Sequence, residues 1–201
     1  MSGPALLLVR GEHERVVDWA RKGVVAVHVV PLAEGWTGVL PAGERSAAAP
    51  PYDDAVSLLL GRPVSRRLLP AIGTARVGAR QVWSLVPRVL RPRRRWLVWE
   101  PGAGLVRPGS LPAATVADLA AVAGRRAERE VLARVLRDGR GDADRLVTDV
   151  LGALGLPGAA LATGQPVPQG ATSVEPDRQD VTRFDRAVHE DRRWRAEVGG
   201  E

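Results

Sequence analysis

No cysteine occurs among the 201 residues, which excludes disulfide frameworks, thiolate zinc sites and cysteine nucleophiles together. That fits a reducing compartment, and a soluble, cytoplasmic protein is the expectation. Aromatic residues are scarce, with one Phe, one Tyr and six Trp, so few rings are at hand to stack on single-stranded bases. Lysine is nearly missing as well: Lys22 stands alone beside 28 arginines. A GC-rich coding bias produces that skew without any function. Lys22 follows no glycine-rich loop, so there is no GxxxxGK phosphate loop, and no serine sits in a GxSxG setting. Apolar runs are short. VVAVHVVPLA falls well below the ~20 residues of a membrane-spanning helix, and MSGPALLLVR lacks a basic segment before its apolar run, so it reads as a strand rather than a leader. No membrane partner is expected.

The sharpest absence is local. Between Asp54 and Glu100 there is no acidic residue, while Arg62, Arg66, Arg67, Arg76, Arg80, Arg88, Arg91, Arg93, Arg94 and Arg95 contribute ten positive charges. Through Thr163 the chain has 23 basic against 15 acidic residues, a net of +8; from Gly164 onward 6 stand against 8, a net of −2, which together make the overall +6. A planar guanidinium offers paired donors to phosphate or carboxylate oxygens. Arg66, Arg67, Arg88, Arg91, Arg93, Arg94 and Arg95 are therefore the candidate anion- or partner-binding residues. The competing reading is a solvated face whose arginines flank turns or pair with carboxylates supplied by the fold or the acidic tail.

The order of elements reads as strand, helix, strand, strand, helix, strand. LLLV (6–9) is a strand; GEHERVVDWARKG puts Val16, Val17 and Ala20 on one helical stripe; VVAVHVV and WTGVLPA are strands joined by a tight turn at EGW; YDDAVSLLLG is a helix with acidic residues at its start. RLLPAIGTARV, ARQVWSLVPR and RRWLVWEP are extended. This is the order of a split βαβ, ferredoxin-like unit with extra strands on a mixed or antiparallel sheet. Alternation places Trp96 with Val98 on one face and Leu97 with Trp99 on the other, so that strand is interior and at least one Trp is core.

Thr115 and Asp118 have capping-box spacing and start a helix that Gly124 ends. RAEREVLARVLRDG, with Ala127, Val131, Leu132, Val135 and Leu136, and GDADRLVTDVLGALG, with Leu146, Val147, Val150, Leu151 and Leu154, read as a helical hairpin or as one broken helix. The whole is an α+β protein: a sheet domain over 1–124, a helical hairpin over 125–158 packed on it, a flexible linker over 159–179 that is rich in Pro, Gly and polar residues, and a tail over 180–201. In the tail Val181, Phe184 and Val188 share a helical face, with Trp194 nearby, and these four are the candidate docking residues.

Chemistry-bearing residues are few. Glu12, His13, Glu14 and Asp18 sit close together, but Asp18 is five residues from His13, poor spacing for shared ligation on a helix, so no metal is expected. His28 lies in an apolar strand and reads as a hydrogen-bonded core histidine. Gly102 and Gly104 in EPGAGLVRPG read as a turn between strands, with no dinucleotide helix after them. The RGD at 140–142 joins two helices and is treated as incidental. The chain reads as a non-enzymatic interaction protein with an arginine-rich surface, a protein partner and no cofactor. The alternatives are sequence-nonspecific nucleic-acid binding and an enzyme acting on an anionic substrate.

Overall fold

Leu6, Leu7, Leu8 and Val9 are all buried, the pattern of a strand covered on both sides, because successive side chains alternate between faces. The structure, a computed structural model, describes residues 2–137 and 141–198. In it this strand, β1 (Ser2–Arg10), sends Leu6 and Leu8 into one hydrophobic core and Ala5, Leu7 and Val9 into another on the opposite face. It is followed by α1 (His13–Arg21), β2 (Val27–Pro31), β3 (Trp36–Pro41), α2 (Ala55–Gly61) and β4 (Ala71–Val77). A meander, β5 (Arg80–Val86), β6 (Arg95–Glu100) and β7 (Gly104–Val106), extends the sheet. Next come α3 (Val116–Val122), α4 (Arg129–Arg137), α5 (Ala143–Ala153), α6 (Ala159–Ala162), β8 (Thr172–Val174) and α7 (Arg178–Val198).

The sheet order is β7-β6-β5-β4-β1-β3-β2-β8, and every pairing is antiparallel. Its centre, β4-β1-β3-β2, is the split βαβ arrangement expected from the element order. Helices α1 and α2 cover one face through Val16, Ala20, Val56 and Leu59. Helices α3 to α6 cover the other, over Trp36, Trp83 and Trp99, each almost fully buried. Gly73, midway along β4, makes the first layer possible: a Cβ there would lie 2.5 Å from Leu60 Cδ2 and 2.6 Å from Ser84 Oγ.

Local chemistry accounts for the helix starts. The Asp54 carboxylate accepts from Val56 N and Ser57 N at the head of α2. Thr115 and Asp118 form the reciprocal capping box of α3, worth on the order of 1 kcal/mol. Asp142 of the RGD caps α5 by accepting from Arg145 N at 2.7 Å, while Arg140 lies outside the described residues. The hairpin segment forms two separate helices in contact, with Leu132 and Leu136 of α4 fully buried and Val131 and Ala127 left exposed. Trp99 is in the core and Trp96 is half-buried on the opposite face.

Residues 159–179 differ from the flexible linker their composition suggests. Gly158 adopts φ +92° to turn the chain into α6, whose Leu161 and Ala162 are buried. Strand β8 then pairs with the edge of β2, and its Val174 is buried. Two side-chain hydrogen bonds fasten it, His13 Nε2 to Thr172 Oγ1 at 2.8 Å and His28 Nδ1 to Ser173 Oγ at 3.1 Å. The ordering entropy of so polar a stretch is met by a neighbouring strand edge, which composition does not reveal. Among the described residues no helix is long and apolar enough to cross a membrane.

A candidate anion-binding cleft

The ten arginines of the acid-free block fall into three groups. Three meet carboxylates brought by the fold: Arg76 with Asp144 at 3.0 Å, Arg80 with Glu100 at 3.2 Å and Arg95 with Asp118 at 2.9 Å. Three are bound to main-chain carbonyls. Arg94 donates to Gly61 O and Arg62 O at the end of α2, Arg62 donates to Trp19 O and to Ala20 O near the end of α1, and Arg66 donates to Leu90 O at 2.5 Å. Arg62 also stacks on Trp19, 4.1 Å from the ring centroid. Burial lowers Arg62 and Arg94 to about 10, opposed at Arg62 by the charge of Asp180. These two guanidiniums complete helix C-termini, whose last carbonyls otherwise lack donors.

The remaining four, Arg67, Arg88, Arg91 and Arg93, have no hydrogen-bond or ion-pair partner among the described residues and are exposed. Three of them line one cleft. It lies beside the loop 87–94 between β5 and β6, has a volume of about 600 Å³, and gathers Arg10, Arg88, Arg91, Arg93, Arg95 and Arg126. Its floor is apolar, with Trp36, Leu85 and Val122. Sheet register explains the convergence. Arg10 pairs with Trp36 across β1 and β3, while Arg95 opens β6 opposite Leu85 at the end of β5. Arg10 is held in place by stacking on Trp36 at 4.6 Å and by donating to Glu34 O at 2.7 Å.

One carboxylate, Asp118, faces these six arginines. Burial raises its carboxyl, but hydrogen bonds from Thr115 N and Oγ1 and the charge of Arg95 outweigh this and hold it below the usual 3.8. It is an ionised cap whose oxygens are already engaged by Thr115 and Arg95. Among the described residues the lining holds no histidine, serine, threonine, lysine or cysteine. What the cleft offers is a dense set of donors over an apolar floor, suited to an anion carrying more than one charge.

Of the candidate arginines, the fold brings Arg88, Arg91, Arg93 and Arg95 together at one cleft. Arg66 and Arg94 point to main-chain carbonyls, and Arg67 lies outside the cleft lining. Arg10 and Arg126, outside the sequence candidates, join them because strand register and the turn after α3 carry them there. Of the tail residues, Val181, Phe184 and Val188 are half-buried and Trp194 is 62% exposed; residues 199–201 of the tail lie outside the described residues. Phe184 meets Tyr52 edge-on at 5.6 Å, so α7 rests on the chain's own α1 and α2 side rather than on the arginine cleft. Among the described residues no group of three or more His, Cys, Asp or Glu is placed to hold a metal. Glu12 and Asp18 instead pair with Arg15 and Arg21. No family model matches the chain, and neither the curated proteins nor the solved structures contain a significant match.

Proposed function

We propose that this is a non-catalytic cytoplasmic interaction protein whose arginine cleft receives a phosphate- or carboxylate-bearing group presented by a partner protein. The observation that carries the reading is the convergence of six arginines on one concave site with a single, already engaged carboxylate. Concavity favours an inserted anionic group over a duplex lying along a surface. The one carboxylate of the lining is already engaged by Thr115 and Arg95, and no nucleophile stands beside it, which favours binding over turnover.

Calorimetric titration with tripolyphosphate at several salt concentrations tests this. The expected outcome is saturable binding that weakens as salt rises and disappears in the triple variant R88A/R91A/R93A, whose melting temperature stays at the parent value. Binding that survives in the triple variant overturns the assignment of the cleft. Labelled duplex DNA serves as the second arm. Micromolar affinity with a log–log salt slope of about −0.9 per phosphate contact, flattened in the same variant, would replace the protein partner with nucleic acid.

A further inference from the structure

A second chamber lies on the opposite side of the sheet, beneath α7. Its volume is about 520 Å³, and its walls come from α1, α2, β2 and the turns between them, with α7 as a roof. Trp19, Val25, Leu58 and Leu59 form the walls; Phe184 and Ala187 face them from α7. That size and lining are those of a small-molecule pocket, for which ~300–1,000 Å³ and mainly apolar walls are usual.

The charged groups at the chamber are unbalanced. Lys22, Arg62 and Arg183 stand against Asp180. Asp180 is taken by Arg183 at 2.9 Å. Arg62 has its donors on carbonyls but no carboxylate within ion-pair distance among the described residues, and Lys22 has no partner among them at all. Asp180 also lends Arg62 its charge, so an apolar interior rimmed by one uncompensated cation, Lys22, calls for an apolar body with one negative end. The arginine cleft asks for the reverse, several charges on a compact polar group.

Besides the contact of Phe184 with Tyr52, hydrogen bonds hold the roof. Asp177 N donates to Arg21 O at 2.9 Å, Ala49 N donates to the Asp185 carboxylate at 3.3 Å, and Arg192 donates to Pro50 O at 3.0 Å. The first attaches the start of the helix beside Lys22, and the other two attach it along the loop 46–52. The connection from β8 to α7 is Glu175, Pro176 and Asp177.

We propose that the chamber beneath α7 is a binding site for an apolar monoanion, a medium-chain or aromatic carboxylate. Its body lies against Trp19, Leu58 and Phe184, and its carboxylate lies at Lys22. The site is separate from the arginine cleft and stands whether or not that reading holds.

The indole N–H of Trp19, which donates to Pro63 O at 3.1 Å beside the chamber, gives a local signal for the test. Decanoate titrated into the full chain is expected to shift the Trp19 indole resonance saturably, whereas tripolyphosphate leaves it in place. Decanol should bind about two- to fivefold more weakly, the factor expected of one exposed charge pair. Lys22→Gln, at an exposed side chain, should weaken decanoate by the same factor and leave decanol unchanged. Ala187→Phe, which fills the chamber from an exposed helix position, should abolish the shift. The proposal is overturned by no saturable shift, by an unchanged shift in Ala187→Phe, or by equal affinity for decanoate and decanol.

Discussion

Arg93 and Arg94 are neighbours in sequence and opposites in role. Arg94 turns inward, is desolvated, and donates to the carbonyls that end α2; Arg93 turns outward into a cleft and touches no partner among the described residues. The contrast extends to Arg62 on one side and to Arg88 and Arg91 on the other. A run of like charges is therefore not one surface. Part of it completes the backbone of the fold, and only the remainder is at liberty to bind.

The largest effect should come from the inward set. Arg94→Ala leaves the α2 carbonyls without donors and should cost about 1–3 kcal/mol in a denaturant melt, while Arg93→Ala should stay within about 0.5 kcal/mol. Equal losses for the two would erase the distinction. Next in size is Asp118→Asn, which weakens the α3 capping box by about 1 kcal/mol and at the same time removes the one carboxylate of the cleft. Stability should fall while tripolyphosphate binds more tightly, two signs that a purely structural role does not produce together. The pH dependence follows from the depressed carboxyl of Asp118. Its stabilisation is complete above the ordinary 3.8 and is lost as pH falls through the lower folded value, so the gap between parent and variant should close on acidification. The smallest effect is expected at the exposed pair Arg80 and Glu100, where Arg80→Ala should change stability by less than about 0.5 kcal/mol and, unlike Arg93→Ala, leave anion binding unaltered.

Elements with local signatures were legible from sequence. The unbroken apolar run of β1, the acidic cap of α2, the Thr115 and Asp118 pair and the two heptad-like stripes of α4 and α5 each carry their reason within a few residues. The strand order followed because the succession of elements matches a split βαβ unit. What could not be read depends on distant partners. Thr172 to Val174 has no strand pattern worth the name, and it is extended because β2 offers an open edge and His13 and His28 offer hydrogen bonds. Arg10 and Arg126 reach the cleft through register and a turn. Arg94 left the expected surface because the end of α2 needed donors, a demand visible only once α2 and the loop 87–94 are placed.

The path of the chain from α6 to α7 has a consequence for assembly of the sheet. Residues 159–177 begin under one face with Leu161, pass along the free side of β2 as β8, and arrive at the other face where α7 starts. The two outermost strands, β7 and β8, are three residues each, too short to template the pairing of another molecule. Until β8 arrives, however, β2 presents its full five-residue border. During synthesis from the N-terminus the central four strands are complete well before residue 172 is made, so there is an interval in which the nascent protein has a sticky margin. The clasp that closes it comes from the stretch of chain that looked least able to fold.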